Sequence, residues 1–446
     1  MKLKELVFVL IAAMLLLPIV VAGDLDNTTL VTPPWSHCLG LHKVAQFHLD
    51  LYSGYRERFE DPQGLFCVKL DSKDDPSTNK DDDELTVYGL NSGKHKLIYN
   101  KSLTSIGMVG GEGYGLDRFK DPRSVTGDSR GNLYVADTGN HRIVHLFYSE
   151  DDELVPIEEF TGQEDDRLIG PTGVCLSGRN LYVTDYGNDR IAVFDSSGAL
   201  TTSMRPATDT ERLRGPLSLA AVTEGDDWIY YRDYFIAVVD SLGKRLWKIS
   251  PDGRVIAIAR PHSSSGVFGH VAIDYYGSVY VTDQPNGCIH KYDRHLNYIT
   301  AFGRRGQFDE PRGIAIYRRF GQIFVSEKSG AQYYWIGTDV MRFTADNCAI
   351  DIPEKRLSID ISFLLTEHST VSIYLEDEKG QKLSTIAEDY LLPAGRFTKR
   401  LGTRCNKAEL LAISKVRVVI TAQPTYSSRT FLSVTRKSPL LKPRSK

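Results

Sequence analysis

Residues 121–147 read DPRSVTGDSRGNLYVADTGNHRIVHLF, and residues 170–200 read GPTGVCLSGRNLYVTDYGNDRIAVFDSSGAL. Both run Pro-x-small, an apolar stretch, a Gly turn, Leu-Tyr-Val-x-Asp, a Gly-Asn turn, Arg-Ile and a further apolar stretch. β-Branched and aromatic runs punctuated by Gly and Asn predict a meander of short strands. Working outward, Asp240 to Arg245 aligns with Asp185 to Arg190 without a gap. VYVTD (279–283) and IFVSE (323–327) give further copies, and a degenerate first copy opens at Pro62 and continues through LTVYG (85–89). The copies open at Pro62, Pro122, Pro171, Pro216, Phe268 and Pro311, spaced 60, 49, 45, 52 and 43 residues apart. Periods of about 40–50 residues suit four short strands per repeat. The longer steps hold the insertions Asp71 to Glu84 and Glu224 to Phe235, which read as loops.

Asn140-His141-Arg142-Ile143 resembles the signature for which the NHL repeat is named. That resemblance implies an all-β fold, a six-bladed NHL-type β-propeller over residues 35–350. A propeller must close or leave open edges. The last copy is short of an outer strand, and KVAQFHLD (43–50) alternates like one, so it is expected to complete the sixth blade. Closure would carry Cys38 toward the propeller's C-terminal end, which makes a Cys38–Cys348 disulfide geometrically reasonable. Cys67 and Cys175 lie in apolar strand segments and read as small buried hydrophobes. The six cysteines include no CxxC pair, which speaks against a zinc ribbon.

From about Leu357 the period is lost. Strand patterns run over 357–365, 370–376 and 415–422, with EDEKGQKLSTIAEDYLLPAGRF between the last two. The Asp-x-x-Gly turn followed by Pro-Ala-Gly resembles the immunoglobulin-like domain of the flagellar hook-capping protein, implying a small β-sandwich over 357–436. The usual Trp is absent, and Phe397 is expected to fill that part of the core. Residues 437–446 read as a flexible basic tail.

Residues 1–22 carry Lys2 and Lys4, an apolar run, then Ala22 before Gly23. This is the pattern of a signal peptide, with an uncleaved N-terminal anchor as the alternative. The expected location is therefore outside the cytoplasm of a bacterial cell, at the envelope or beyond. Contact with a membrane would come only through an uncleaved N-terminus. A net charge of -3 and an exported address both argue against nucleic-acid binding.

The repeated pairs Asp137/Arg142, Asp185/Arg190 and Asp240/Arg245 read as structural, since a group present in every repeat serves the repeat. Function is sought where the repeat is broken. Two residues after each opening position stand Gly64, Ser124, Gly173, Ser218, His270 and Gly313, so His270 is the exception. With Arg123 and Arg312 it forms a candidate ligand site at the channel mouth, where an anion would fit.

Two function classes follow. One is a non-catalytic binding or scaffolding module, presenting one propeller face to a protein or carbohydrate ligand. The other is a metal-dependent enzyme. NHL-like amidating lyases hold zinc with several axial histidines, whereas here only His270 is axial; His141 lies in a turn and His290 and His295 in the fifth repeat's outer part. Gluconolactonase-like propellers hold calcium through Glu, Asn and Asp from different blades. Calcium or zinc in the central channel is the cofactor this alternative requires. The acidic insertion 71–84 reads as a hydrated loop rather than an EF-hand.

Overall fold

The Leu-Tyr-Val-x-Asp stretches extend because β-branched and aromatic side chains pack on both faces of a pleated strand. Each tight turn then reverses the chain onto its own neighbour. The computed structural model describes residues 27–33, 43–54, 56–74, 85–102, 105–241, 244–303, 306–404, 413–426 and 432–445. Among these, six antiparallel sheets follow the repeats in order.

The first sheet contains Pro62–Lys69, Leu85–Asn91, Lys96–Ser102 and Ser105–Gly110. The second contains Pro122–Gly127, Asn132–Asp137, Arg142–Tyr148 and Leu154–Phe160. The third contains Pro171–Ser177, Asn180–Asp185, Arg190–Phe194 and Leu200–Met204. The fourth contains Pro216–Val222, Phe235–Asp240, Leu246–Ile249 and Val255–Ala259. The fifth contains Phe268–Ile273, Val279–Asp283, Cys288–Tyr292 and Tyr298–Phe302. The sixth contains Ile314–Tyr317, Gln322–Glu327 and Gly330–Ile336.

The first strand of each sheet touches the first strand of the next, and the sixth returns to the first. The sheets therefore stand radially about a channel, as a β-propeller. Apolar clusters fill the wedges between neighbouring sheets, such as Tyr182, Ile191, Leu219, Val238 and Trp247 between the third and fourth. The small residues near the start of the inner strands have a steric reason. A Cβ on Gly313 would lie 2.2 Å from the Gln63 carbonyl, and one on Gly64 2.8 Å from the Arg123 carbonyl. Inner strands simply approach too closely there for a larger side chain.

The ring is sealed from the N-terminus, but not by the strand read from residues 43–50. Lys43–Ala45 pairs with Gly330–Gln332, and Leu30–Val31 pairs with Trp335–Ile336, so two short segments share the outer edge. Gln46–Ser53 is an α-helix. Its Gln46 side chain ties the helix down, bonding Asp50 Oδ1 and the Glu57 carbonyl and accepting from the Phe59 amide.

The second body starts earlier than residue 357. Val340–Asp351 pairs with Arg356–Leu365, which removes 340–350 from the propeller and gives it to the next domain. One sheet there holds Val340–Asp351, Arg356–Leu365, Gly395–Arg404 and Arg444–Ser445. The facing sheet holds Ser369–Asp377, Lys382–Leu392, Val416–Pro424 and Val434–Lys437. Their inner faces share one core of Leu357, Ile359, Phe363, Val371, Val418 and Ile420. Phe397 packs on this core, stacked on Phe363 at 5.3 Å.

The basic C-terminus is not a free tail. Arg444–Ser445 runs parallel to Ala349–Ile350, and Leu441 bridges to Val416. The run of Lys and Arg around Leu440 and Leu441 hid this pairing from a reading by charge.

Cys348 also belongs to the sandwich core rather than to the propeller's end, and burial pushes its thiol up to about 11. Cys67, Cys175, Cys288 and Cys348 are free thiols, whereas Cys38 lies outside the described residues, as do the apolar N-terminal segment and most of the acidic insertion. Among the described residues no helix is long and apolar enough to cross a membrane.

Candidate functional site at the channel mouth

An acid ends the second strand of the second to sixth sheets, with Asn91 in that place in the first, and in four of them it staples the loop leading into the inner strand. Asp137 accepts the Lys120 amide at 2.6 Å, Asp185 the Ile169 amide at 2.7 Å, and Asp283 the Val267 amide at 3.2 Å. Its second oxygen takes the arginine five residues on. Arg142 Nε lies 2.8 Å from Asp137 and Arg190 Nε 2.7 Å from Asp185, and Arg245 pairs with Asp240. Burial raises the Asp137 and Asp185 carboxyls despite these partners, so they are desolvated structural charges rather than exposed catalytic ones.

His270, Arg123 and Arg312 come together at the channel end where the inner strands begin. All three line one cavity of about 500 Å³, with Gln63, Asp121 and Gln284. His270 and Ser218 also line a second cavity of about 390 Å³ toward the opposite end. They therefore stand at the waist of the channel. His270 Nε2 lies 3.2 Å from Gln63 Oε1. Burial, with Arg123 second, lowers the His270 imidazole to about 4, so it is neutral at ordinary pH.

Neither arginine is bare. Asp61 pairs with Arg312 and lies 3.7 Å from Arg123. Arg123 also holds Asp121 at 3.0 Å, and Arg312 holds Glu310 at 3.3 Å. The sequence reading missed these carboxylates, although each stands immediately before an opening proline. Asp61, Asp121 and Glu310 all have φ near +50°, while Gly170 and Gly215 fill that place in the third and fourth repeats. Left-handed backbone at a non-Gly residue is uncommon, and it recurs here around one mouth. The result is a rim of alternating acids and bases with Gln63 and Gln284 beside them, and with Tyr186 as an exposed aromatic wall.

The opposite end is capped by Arg318, another residue the repeat pattern did not single out. It donates to the Ala221 carbonyl at 2.8 Å and the Ile273 carbonyl at 3.2 Å, and faces Asp226 at 3.6 Å.

Among the described residues, the group of His, Cys, Asp and Glu close enough to share a metal is Asp283, Cys288 and His290. It does not line the channel; Phe268 stands between, lining the cavity and meeting His290 edge-on at 5.7 Å.

Residues 119–146 and 168–194 match the NHL repeat. These spans are the second and third sheets with the loops leading into them. No curated protein matches the chain in sequence. Among solved structures, a virginiamycin B lyase from Staphylococcus aureus is similar at 15% identity and a TM-score of 0.42, over 56% of this chain and 76% of that one. A putative gluconolactonase is similar at 14% identity and a TM-score of 0.43, over 63% and 91%. A calcium-binding regucalcin from Agrobacterium tumefaciens is similar at 12% identity and a TM-score of 0.42, over 63% and 90%. At such scores these likenesses carry no argument about activity.

Proposed function

We propose that the chain is a six-bladed NHL-type propeller acting as a non-catalytic binding module, exported to the envelope or beyond, with its ligand seated at the channel mouth. The observation that carries this is the rim itself. Asp61, Asp121 and Glu310 each already face a guanidinium, and His270 is held neutral. Such a rim offers paired donors and acceptors to a polar ligand without a group poised to exchange protons near neutral pH. It also leaves the carboxylates committed to arginine, which disfavours a channel metal and the lyase or lactonase chemistry that would need one. A carbohydrate or a polar protein segment is the ligand class this suits. The immunoglobulin-like sandwich then acts as the spacer or attachment domain.

Arrays of glycans and peptides probed with wild type and with Gln284→Ala or Tyr186→Ala test the reading. Both residues line the cavity and are exposed, outside the buried acid–arginine pairs of the sheets. A ligand bound by wild type and weakened about tenfold in either variant supports the mouth as the site, since one buried polar or aromatic contact contributes about 1–3 kcal/mol. A ligand bound equally by all three proteins places recognition elsewhere. Turnover of a lactone or lyase substrate would displace the binding reading altogether.

A further inference from the structure

The fifth sheet breaks the Asp–Arg rule that holds in the second, third and fourth. The place five residues after the acid is Cys288 instead of arginine. Asp283 is fully buried, and so is the pocket around it: Cys288 is 4% and His290 2% exposed. Where its counterparts meet a guanidinium, Asp283 Oδ2 meets His290 Nε2 at 2.9 Å, and that same nitrogen lies 3.7 Å from Cys288 Sγ. A buried carboxylate without a permanent cation carries a desolvation cost of several kcal/mol. Losing the guanidinium thus calls for another positive charge in its place.

The three ligand atoms lie within 4.8 Å of one another. Around a tetrahedral zinc, with Zn–S about 2.3 Å and Zn–N or Zn–O about 2.0–2.2 Å, such atoms stand roughly 3.3–3.7 Å apart. The thiol–imidazole separation already falls in that range, and the carboxylate–imidazole separation must open by a few tenths of an ångström. The Asn286 side-chain amide donates to Asp283 Oδ2 at 2.8 Å and orients it from outside, as a ligand carboxylate requires. Buried polar atoms without partners are rare, yet two gather here: Nδ1 of His290 and Nδ1 of His262. The rings of both pack on Tyr298, at 6.0 Å and 3.7 Å. A second imidazole, that of His262, therefore stands beside the cluster with its Nδ1 unused.

We propose that Asp283, Cys288 and His290 form a structural site for zinc or a zinc-like divalent ion, which replaces the arginine of the other sheets. Thiolate, imidazole and carboxylate together select such a metal over calcium or magnesium. Binding displaces the Cys288 proton to solvent and moves the His290 proton from Nε2 to Nδ1. The fourth place is open to the neighbouring His262. The site is independent of the channel mouth, so its failure and the failure of the binding reading are separable.

The test uses the purified full chain, loaded with Zn²⁺ and dialysed, and in parallel with Co²⁺. Wild type is expected to keep one zinc per chain, and the cobalt form to show a thiolate-to-metal charge-transfer band with strong visible absorption. Cys288→Ser should abolish the band and cut zinc retention at least about tenfold, whereas Cys67→Ser should leave both unchanged. X-ray absorption of wild-type zinc protein needs no variant and should read a single sulfur near about 2.3 Å. A wild type that retains no zinc, a first shell without sulfur, or a charge-transfer band that survives Cys288→Ser would overturn the site.

Discussion

Arg190 and Asp185 are both wholly enclosed, so the pair matters through what its rupture leaves behind. Arg190→Met should strand a buried carboxylate and lower unfolding free energy by about 3–5 kcal/mol in urea titrations. The double variant with Asp185→Asn should recover most of that loss. Asp121 sets two effects against each other. Its left-handed backbone costs about 1 kcal/mol or more, and its half-exposed ion pair returns about 0–1 kcal/mol. Asp121→Gly should therefore leave thermal stability nearly unchanged while leaving Arg123 with Asp61 as its carboxylate, and ligand binding at the rim should weaken. Asp274 lies buried under the fifth sheet, where burial and then Glu367 raise its carboxyl to about 7. A raised acid binds more protons folded than unfolded, so its contribution is intact below about pH 4 and is lost as pH climbs toward 7. Asp274→Asn should match wild type in melting temperature near pH 4 and exceed it increasingly up to pH 8. His270 runs the other way: lowered to about 4, it favours folding above its ordinary range and ceases to do so as pH falls from about 6.5 to 4. These residues were unequally legible. His270 stood out because a small side chain was due there. Asp61, Asp121 and Glu310 were hidden because they sit one residue before the motif, where the repeat tolerates Gly or an acid alike.

At the level of elements, the sheets were readable because each repeats the same turn chemistry, and the NHL match falls on the two copies that keep it best. The outer edge of the sixth sheet was half readable. Alternation pointed to residues 43–50, but only Lys43–Ala45 pairs, because an α-helix starts at Gln46, with the Ala45 amide donating to His48 Nδ1 and the Gln46 side chain bonding Glu57 and Phe59 beyond the helix. Leu30–Val31 is too short a segment for any period to betray. Removing residues up to Ala45 should bare the edge formed by Gly330–Ile336. The melting temperature is expected to fall by about 5–10 °C in calorimetry, with concentration-dependent aggregation from the exposed edge. The C-terminal strands show the converse error. Charge suggested a loose tail, whereas backbone pairing to Val340–Asp351 depends on register and is blind to charge.

For the whole molecule, the decisive contacts lie between propeller and sandwich. Lys291 on the fifth sheet pairs with Glu367, both fully buried, and Tyr280 donates to the same carboxylate at 3.2 Å. His368 stacks on Tyr276 at 4.1 Å, Thr425 bonds the Tyr276 hydroxyl, and Arg436 holds Asp339 at 2.7 Å. No sequence period connects residues this far apart, so the junction was invisible beforehand. Glu367→Ala should leave Lys291 charged and buried, and the single melting transition should split into two in scanning calorimetry. Adding Lys291→Met should bring the transitions back together. The seal made by Leu30–Val31 and Lys43–Ala45 has a further consequence, which concerns time. The strand they complete, Gly330–Ile336, leaves the ribosome about three hundred residues later. Until it arrives, the nascent N-terminus has no partner and the first sheet has no neighbour on one flank. The ring is thus finished by its oldest segment meeting one of its youngest, which keeps the chain open, and threadable, for most of its synthesis.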